Sequence, residues 1–196
     1  MFPKKILTLL TFLIVSFSSV VEVYSIEPDI FVQSTVNRAA KTLGGDLTKD
    51  QRIEKLKEIA TDTVDINGIG FYTLGAYRKT ISDAQLEQYK ILFEQYFLKS
   101  FASRLAEYSN PEIEVTSKKK LNDNYTMVSS ILVKTEERPE VKIDWRIYTK
   151  NDPIIRDLII EGLSLARTQK EEFSSIIESN DGDINALFTN LKNFIK

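Results

Sequence analysis

The 196-residue chain contains no cysteine and no histidine, and it has few glycines and prolines. Without cysteine there are no disulfides, so the fold must be stabilised by burial of apolar side chains. Without histidine there is no Ser-His-Asp triad, no histidine base and no histidine-ligated metal. Phosphate-binding loops and nucleophile-elbow motifs are also absent from the sequence, and we therefore expect no cofactor and no metal.

A strong charge of either sign is also lacking, because the formal net charge is −2 at pH 7. A general nucleic-acid-binding protein that relies on net charge would be strongly basic. We therefore expect no nucleic-acid partner.

The first 25 residues have the pattern of a secretory signal peptide. Lys4 and Lys5 precede a 12-residue apolar run, Ile6 to Phe17, and Val23-Tyr24-Ser25 fits a cleavage site. The apolar run is too short for a membrane anchor, although an N-terminal transmembrane or core helix is the alternative. We predict cleavage after Ser25, a mature domain over residues 26–196, and localisation in the periplasm.

Helical patterns follow over residues 27–109. Apolar residues at helical spacing predict a first helix that ends at Gly44-Gly45, and capping boxes at 48–51 and 82–85 predict the starts of two others. The segment 65–77 is a weaker helix, because glycine lowers helix propensity. The longest helix, about 82–108, carries the apolar stripe Leu86, Tyr89, Phe93, Tyr96 or Phe97, Phe101 and Leu105.

The second half of the chain changes to strand patterns. Four segments, 112–121, 125–136, 141–150 and 154–165, are joined by short turns and predict an antiparallel meander. Two helices, about 166–178 and 183–195, close the chain. The predicted class is α+β, with N-terminal helices packed on one face of a four-stranded antiparallel sheet and two C-terminal helices.

Individual strand residues support further expectations. Ser129 and Ser130 interrupt the second strand, and small side chains there would leave volume unfilled. Trp145 has an indole N–H that requires a partner if it is buried. Gly162 predicts a bend or bulge in the fourth strand.

The stretch "VKIDWRIY" at residues 141–148 is followed at residues 154–173 by "IIRDLIIEGLSLARTQKEEF". This C-terminal pattern resembles that of the MlaC family of periplasmic phospholipid-binding proteins, also called toluene-tolerance auxiliary proteins. The upstream stretch "IGFYTLGAYRKTISDAQLEQYKILFEQYF" is similar to that family's helix-loop-helix. Lys170 departs from the family pattern, where arginine is usual, and Asp181 replaces a glycine. The matching positions are Asp144, Trp145, Glu161, Gly162, Leu163, Ser164, Gln169, Phe173, Gly182, Asp183 and Leu187.

The resemblance implies a fold and a role. The expected fold is a cone like that of the NTF2-like proteins, with an apolar cavity between sheet and helices. The expected role is that of a monomeric phospholipid carrier without enzymatic activity. The partners it implies are an inner-membrane ABC transporter complex with a lipid-binding ring and an outer-membrane lipoprotein–porin complex.

The apolar faces of the predicted helices and strands, together with the resemblance, predict the residues that line the cavity. Val141, Ile143, Trp145 and Ile147 alternate with polar residues and make one strand face apolar. The predicted lipid-binding residues are Phe71, Leu74, Tyr89, Phe93, Phe97, Phe101, Val128, Ile131, Val133, Trp145, Ile147, Ile160, Leu163 and Phe173.

The residues alone are also compatible with two other classes of protein. An NTF2-like enzyme would need an acid–base residue inside the cone, and Asp144, Asp157 and Glu161 are the strand carboxylates placed to act as one. Asp144 should point away from Trp145, whereas Asp157 and Glu161 share a face with Ile159. A periplasmic adaptor or chaperone with a filled core is the other alternative.

Overall fold

The computed structural model describes residues 26–108, 111–136 and 138–196, so the predicted signal peptide lies outside the described residues. Six α-helices and a five-stranded antiparallel sheet confirm the predicted α+β class. The helices are α1 (Pro28–Leu43), α2 (Lys49–Thr63), α3 (Ile66–Leu74), α4 (Asp83–Leu105), α5 (Leu165–Glu178) and α6 (Ile184–Ile195). The strands are β1 (Ile113–Asn122), β2 (Tyr125–Leu132), β3 (Val141–Tyr148), β4 (Ile154–Ile160) and β5 (Leu163–Ser164).

Both predicted capping boxes are present and define the starts of α2 and α4. The Thr48 hydroxyl accepts from the Gln51 backbone N–H at 3.3 Å, and the Gln51 amide oxygen accepts from the Thr48 N–H at 2.9 Å. Ser82 and Gln85 repeat the arrangement at 3.2 and 3.0 Å. Each reciprocal pair satisfies backbone donors that a helix start leaves unpaired.

The weak helix predicted over 65–77 is shorter than expected. It ends at Leu74, because Gly75 adopts φ 59° and ψ −130°, a conformation that favours glycine. A 3₁₀ turn, Gly75–Lys79, then leads towards α4.

The predicted fourth strand is in fact two strands. Glu161 and Gly162 both have positive φ, 49° and 83°, and reverse the chain, so that β5 pairs back on β4 through Ile160 and Leu163. Positive φ at both central residues is the requirement of a two-residue hairpin turn. The bend predicted at Gly162 is therefore a tight turn, and the sheet has five strands in the order β1-β2-β3-β4-β5 instead of four.

The sheet has one face covered by helices, here called the inner face. Burial alternates along β2 and β3, and the buried positions join one core cluster with residues of α1 to α6. In β2 the inner residues are Thr126, Val128, Ser130 and Leu132. The outer face carries half-buried or exposed residues, among them Met127, Ser129, Ile131, Lys142, Asp144 and Arg146.

Helix α1 is fixed along the edge strand β1 by polar contacts. The Gln33 amide donates to the carbonyl of Ile113 at 3.3 Å and accepts from the N–H of Val115 at 3.2 Å. At the other end of the contact, the Lys118 ammonium pairs with Glu27 at 2.6 Å and Asp29 at 2.8 Å. The side-chain amide thus covers part of the strand edge.

Among the residues that the structure describes, no helix combines the length and apolar character needed to cross a bilayer.

Candidate functional site

The inner face of the sheet is sealed at one end. Thr126, Ile147 and Ile155 are buried there, and the junction of α2 and α3 lies beside β4 at this end. Val64 forms a β-bridge with Ile155, whose carbonyl accepts from the N–H of Asp65 at 2.9 Å. This end is here called the closed end.

The opposite end of the same face is less covered and is here called the open end. Ile113, Val141 and Ile160 lie at the ends of β1, β3 and β4, and each is half-buried although its side chain belongs to the apolar face. The adjoining strand β5 carries Leu163, which is 69% exposed. The apolar face therefore runs from a sealed end to a solvent-accessible end.

Burial also decreases along the aromatic stripe of α4. Tyr89 and Phe93 are buried, whereas Phe97 and Phe101 are half-buried and stack on each other at a centroid distance of 5.6 Å. The end of α4 lies near the open end, because the Arg138 guanidinium of the β2–β3 connection sits 5.2 Å from the ring centroid of Tyr108. The half-buried aromatic residues are therefore those nearer the open end.

A tightly packed aromatic group surrounds the buried half of α4. Phe173 of α5 meets Tyr89 and Phe93 edge-to-face, at centroid distances of 6.4 and 6.2 Å. A Cβ on Gly70 would lie 2.8 Å from Phe93 Cδ1, so glycine allows this close approach. An aromatic ring therefore occupies the space that the missing side chain of Gly70 leaves open.

Tyr89 forms a buried polar contact within this group. Its hydroxyl and that of Thr73 share a hydrogen bond of 2.8 Å, and each also lies within hydrogen-bond distance of the Gly70 carbonyl. Burial raises the pKa of Tyr89 well above its usual value. The phenol is therefore neutral and serves as a structural link between α3 and α4.

The indole of Trp145 has the partner that its burial requires. Its Nε1 donates to Ser130 Oγ at 2.8 Å, and Ser130 Oγ donates to the carbonyl of Ile143 at 3.2 Å. Ser129 faces outwards and donates to Asp144 at 2.6 Å. The expectation of unfilled volume fails for Ser129, which is on the other face, while Ser130 is fully buried beside the indole.

Half of the predicted lipid-binding residues lie in one buried cluster, and two more pack against it. The cluster and its two half-buried neighbours, Phe97 and Phe101, combine residues of α3, α4 and α5 with the inner face of the sheet. The seven buried residues are Leu74, Tyr89, Phe93, Val128, Trp145, Ile147 and Phe173.

The remaining predicted residues lie at the edge of this interior or outside it. Ile160 is on the inner face at the open end, and Phe71 is half-buried, with the Lys90 ammonium 5.4 Å from its ring centroid. Leu163 is exposed. The predicted placement of Ile131 and Val133 on the inner face is wrong, because the odd-numbered residues of this segment alternate with the buried Leu132 and point outwards.

The three strand carboxylates are engaged elsewhere. Asp144 lies on the outer face, as predicted, and accepts from Ser129. Asp157 is buried, and its oxygens accept from Ser164 Oγ at 2.6 Å and from the N–H of Ala166 at 3.1 Å. Glu161 is exposed in the turn and accepts from the N–H of Lys142. None of the three is directed into the apolar interior.

Within the described part of the chain, no cluster of three or more acidic, cysteine or histidine residues could hold a metal ion. Two open clefts of about 450 and 540 Å³ lie on the surface, one along α5 and one between α1 and β1. Neither cleft contains a predicted lipid-binding residue, and most of the predicted residues lie in or against the core cluster instead.

The helices and the antiparallel sheet, with an apolar inner face that is more buried at one end, define an α+β domain. The family model of the MlaC protein matches residues 32–193, and the chain therefore belongs to the MlaC family. This confirms the resemblance found in the sequence.

A solved structure of similar fold is that of the phospholipid-binding protein from Ralstonia solanacearum, in complex with a phospholipid. The two chains are 20% identical, and the TM-score is 0.73. The match covers 87% of this chain and 97% of that one.

Proposed function

We propose that this protein binds a phospholipid and carries it as the soluble component of an Mla-type transport system. The acyl chains would lie between α4 and the inner face of the sheet, with the head group at the open end. The protein would act by binding and release, without catalysis.

The observation that carries this proposal is the gradient of burial along the inner face. Thr126, Ile147 and Ile155 are sealed at the closed end, whereas Ile113 and Ile160 reach solvent at the open end. Acyl chains can enter an apolar interior of this kind from one side while a polar head group stays in water. Because burial contributes about 0.8 kcal/mol per methylene, two long chains provide over about 20 kcal/mol before costs.

Membership of the MlaC family and the phospholipid complex of the Ralstonia solanacearum relative support the same ligand class. The signal-peptide pattern of residues 1–25 supports a periplasmic location. In that compartment the carrier would exchange lipid with an outer-membrane lipoprotein–porin complex and with the lipid-binding ring of an inner-membrane ABC transporter.

The direction of transfer would come from these partners. The sequence has no phosphate-binding loop with which to use ATP. Each partner can therefore shift lipid occupancy by its different affinity for the filled and the empty carrier.

A second candidate, an adaptor with a filled core, is favoured by one observation. The rings of Tyr89, Phe93 and Phe173 pack on one another and are fully buried. An adaptor of this kind would retain no phospholipid, whereas a carrier needs the half-buried region around Phe97 and Phe101 to separate from the sheet.

A pair of charge substitutions distinguishes the two candidates. Phe97→Asp places a carboxylate in the proposed acyl-chain site, where it would lose its hydration or admit water. Ile131→Asp is the matched control, because Ile131 is also half-buried but lies on the outer face opposite Lys142. Circular dichroism should verify that both variants fold.

The measurement is transfer of fluorescent phospholipid between vesicles, together with the lipid content of the purified protein. We expect Phe97→Asp to lose both bound lipid and transfer, and Ile131→Asp to keep both. Equal lipid content in Phe97→Asp and the wild type would contradict the proposed site, and a wild type that neither contains nor transfers lipid would favour the adaptor.

A further inference from the structure

Trp145 occupies the boundary between the closed and open ends of the inner face. Its neighbours across the sheet are Val128 on β2, which is fully buried, and Leu158 on β4, which is half-buried. The next inner row towards the closed end is buried on all three strands, whereas the next row towards the open end combines the buried Ser130 and Ile143 with the half-buried Ile160. A large side chain at this position separates the two regions.

The hydrogen bond to Ser130 shows which way the indole leans. Ser130 pairs with Ile143, which is the inner row one step nearer to the open end than Trp145. Because Nε1 of Trp145 lies 2.8 Å from Ser130 Oγ, the ring tilts towards the open end. The ring therefore crosses the inner face between these two rows.

Ser130 fixes this orientation to the backbone. Its hydroxyl accepts from the indole and donates to the carbonyl of Ile143, so both ends of the short hydrogen-bond chain are occupied. The serine is fully buried and Trp145 is 7% exposed. A ring that turned away would leave an N–H and a hydroxyl unsatisfied in an apolar environment.

From this arrangement we infer that Trp145, positioned by Ser130, is the floor of the acyl-chain cavity and sets the longest acyl chain that the protein accepts in full. The inference deepens the proposed phospholipid-binding function and rests on it. Chains that reach the ring gain no further burial, so binding should strengthen about fourfold per added methylene up to a limit and then stop.

The test uses synthetic phosphatidylglycerols with one head group and saturated chains of stepwise increasing length. Their relative affinities are measured by competition and native mass spectrometry, for the wild type and for Trp145→Phe, Trp145→Ala, Ser130→Ala and Ser130→Ala/Trp145→Phe. Ser129→Ala is the matched control, because Ser129 is the adjacent serine on the outer face.

We expect the length limit to move to longer chains in Trp145→Phe, and further in Trp145→Ala. Ser130→Ala should make the affinity level off gradually with chain length instead of at one length, because the serine no longer holds the indole. Ser129→Ala should keep the wild-type length limit. In the Trp145→Phe background the additional Ser130→Ala change should have no effect, because phenylalanine has no N–H for the serine to hold.

An unchanged limit in Trp145→Phe, which preserves an aromatic ring and so is expected to fold even if Trp145→Ala does not, would overturn the inference. An equal effect of Ser130→Ala with and without the indole would overturn the positioning role of the serine. A wild type that binds none of these phospholipids would instead overturn the proposed function, and this inference with it.

Discussion

Substitution of Asp157 tests which contacts stabilise the C-terminal half of the protein. It is 4% exposed, and its two oxygens accept from Ser164 Oγ at 2.6 Å and from the N–H of Ala166 at 3.1 Å. Ser164 in turn accepts from the N–H of Arg167 at the start of α5. One buried carboxylate thus joins β4 to the first turn of α5, where backbone donors otherwise lack partners.

Asp157→Ala removes both acceptors and leaves the buried N–H of Ala166 unpaired. Each hydrogen bond to a charged group contributes about 1.5–3 kcal/mol, and an unsatisfied buried donor costs about 1–3 kcal/mol. Arg146 lies 3.8 Å away and is 41% exposed, so its pairing adds little. Two such bonds together predict that Asp157→Ala lowers the free energy of unfolding by about 3–6 kcal/mol.

The measurement is equilibrium unfolding in urea, in which the midpoint should fall without a change in the m-value. Asp157→Asn should lose less, because its amide oxygen can still accept from Ala166. Asp144→Ala is the control: it loses the bond to Ser129 on the outer face and should cost about 1 kcal/mol. A loss in Asp157→Ala no larger than in the control would refute the role given to Asp157.

Two further predictions concern the helices. Gly70→Ala should lower the free energy of unfolding by about 1–3 kcal/mol, because the new Cβ would lie 2.8 Å from the buried ring of Phe93, and a urea midpoint equal to that of the wild type would contradict this. Lys118 lowers the pKa of Asp29 by hydrogen bonding, so this pair stabilises the fold above the unfolded-state pKa of Asp29 and the contribution is lost as pH falls through the lowered folded-state value. In Lys118→Gln the pKa of Asp29 should therefore rise towards its usual value in an NMR titration, and an unchanged titration would show that the pair does not form in solution.

Local signals account for the features that the sequence predicted well. The capping boxes at Thr48 and Ser82 depend on side chains three residues apart, so they can be recognised without knowledge of the fold. The buried face of β3 can also be recognised from neighbouring residues alone. Ile143, Trp145 and Ile147 alternate with polar residues, so the strand has one apolar face that can be buried.

The sequence could not predict which face of β2 is buried. Apolar residues occur in both phases of this strand, since Val128 and Leu132 alternate with Met127 and Ile131. Which of the two alternating sets is buried depends on the face that the helices cover. That depends on tertiary packing, which the pattern of one strand does not reveal. The placement of Ile131 and Val133 failed for this reason.

The reversal after β4 was missed because the apolar residues continue through it. Segment 154–165 resembles one long strand, and the turn depends on a glutamate, Glu161, with positive φ. Non-glycine residues rarely adopt that conformation, so composition provides little warning. Likewise, the partner of the Trp145 indole follows from the register of β2 against β3, which the sequence does not specify.

The claim that this protein carries a phospholipid can be tested by native mass spectrometry of the protein in a periplasmic extract prepared without detergent. We expect a polypeptide that begins near Ile26 and carries a phospholipid, which is released and identified when the protein is denatured. A polypeptide of bare mass that also fails to take up phospholipid from added vesicles would contradict the claim.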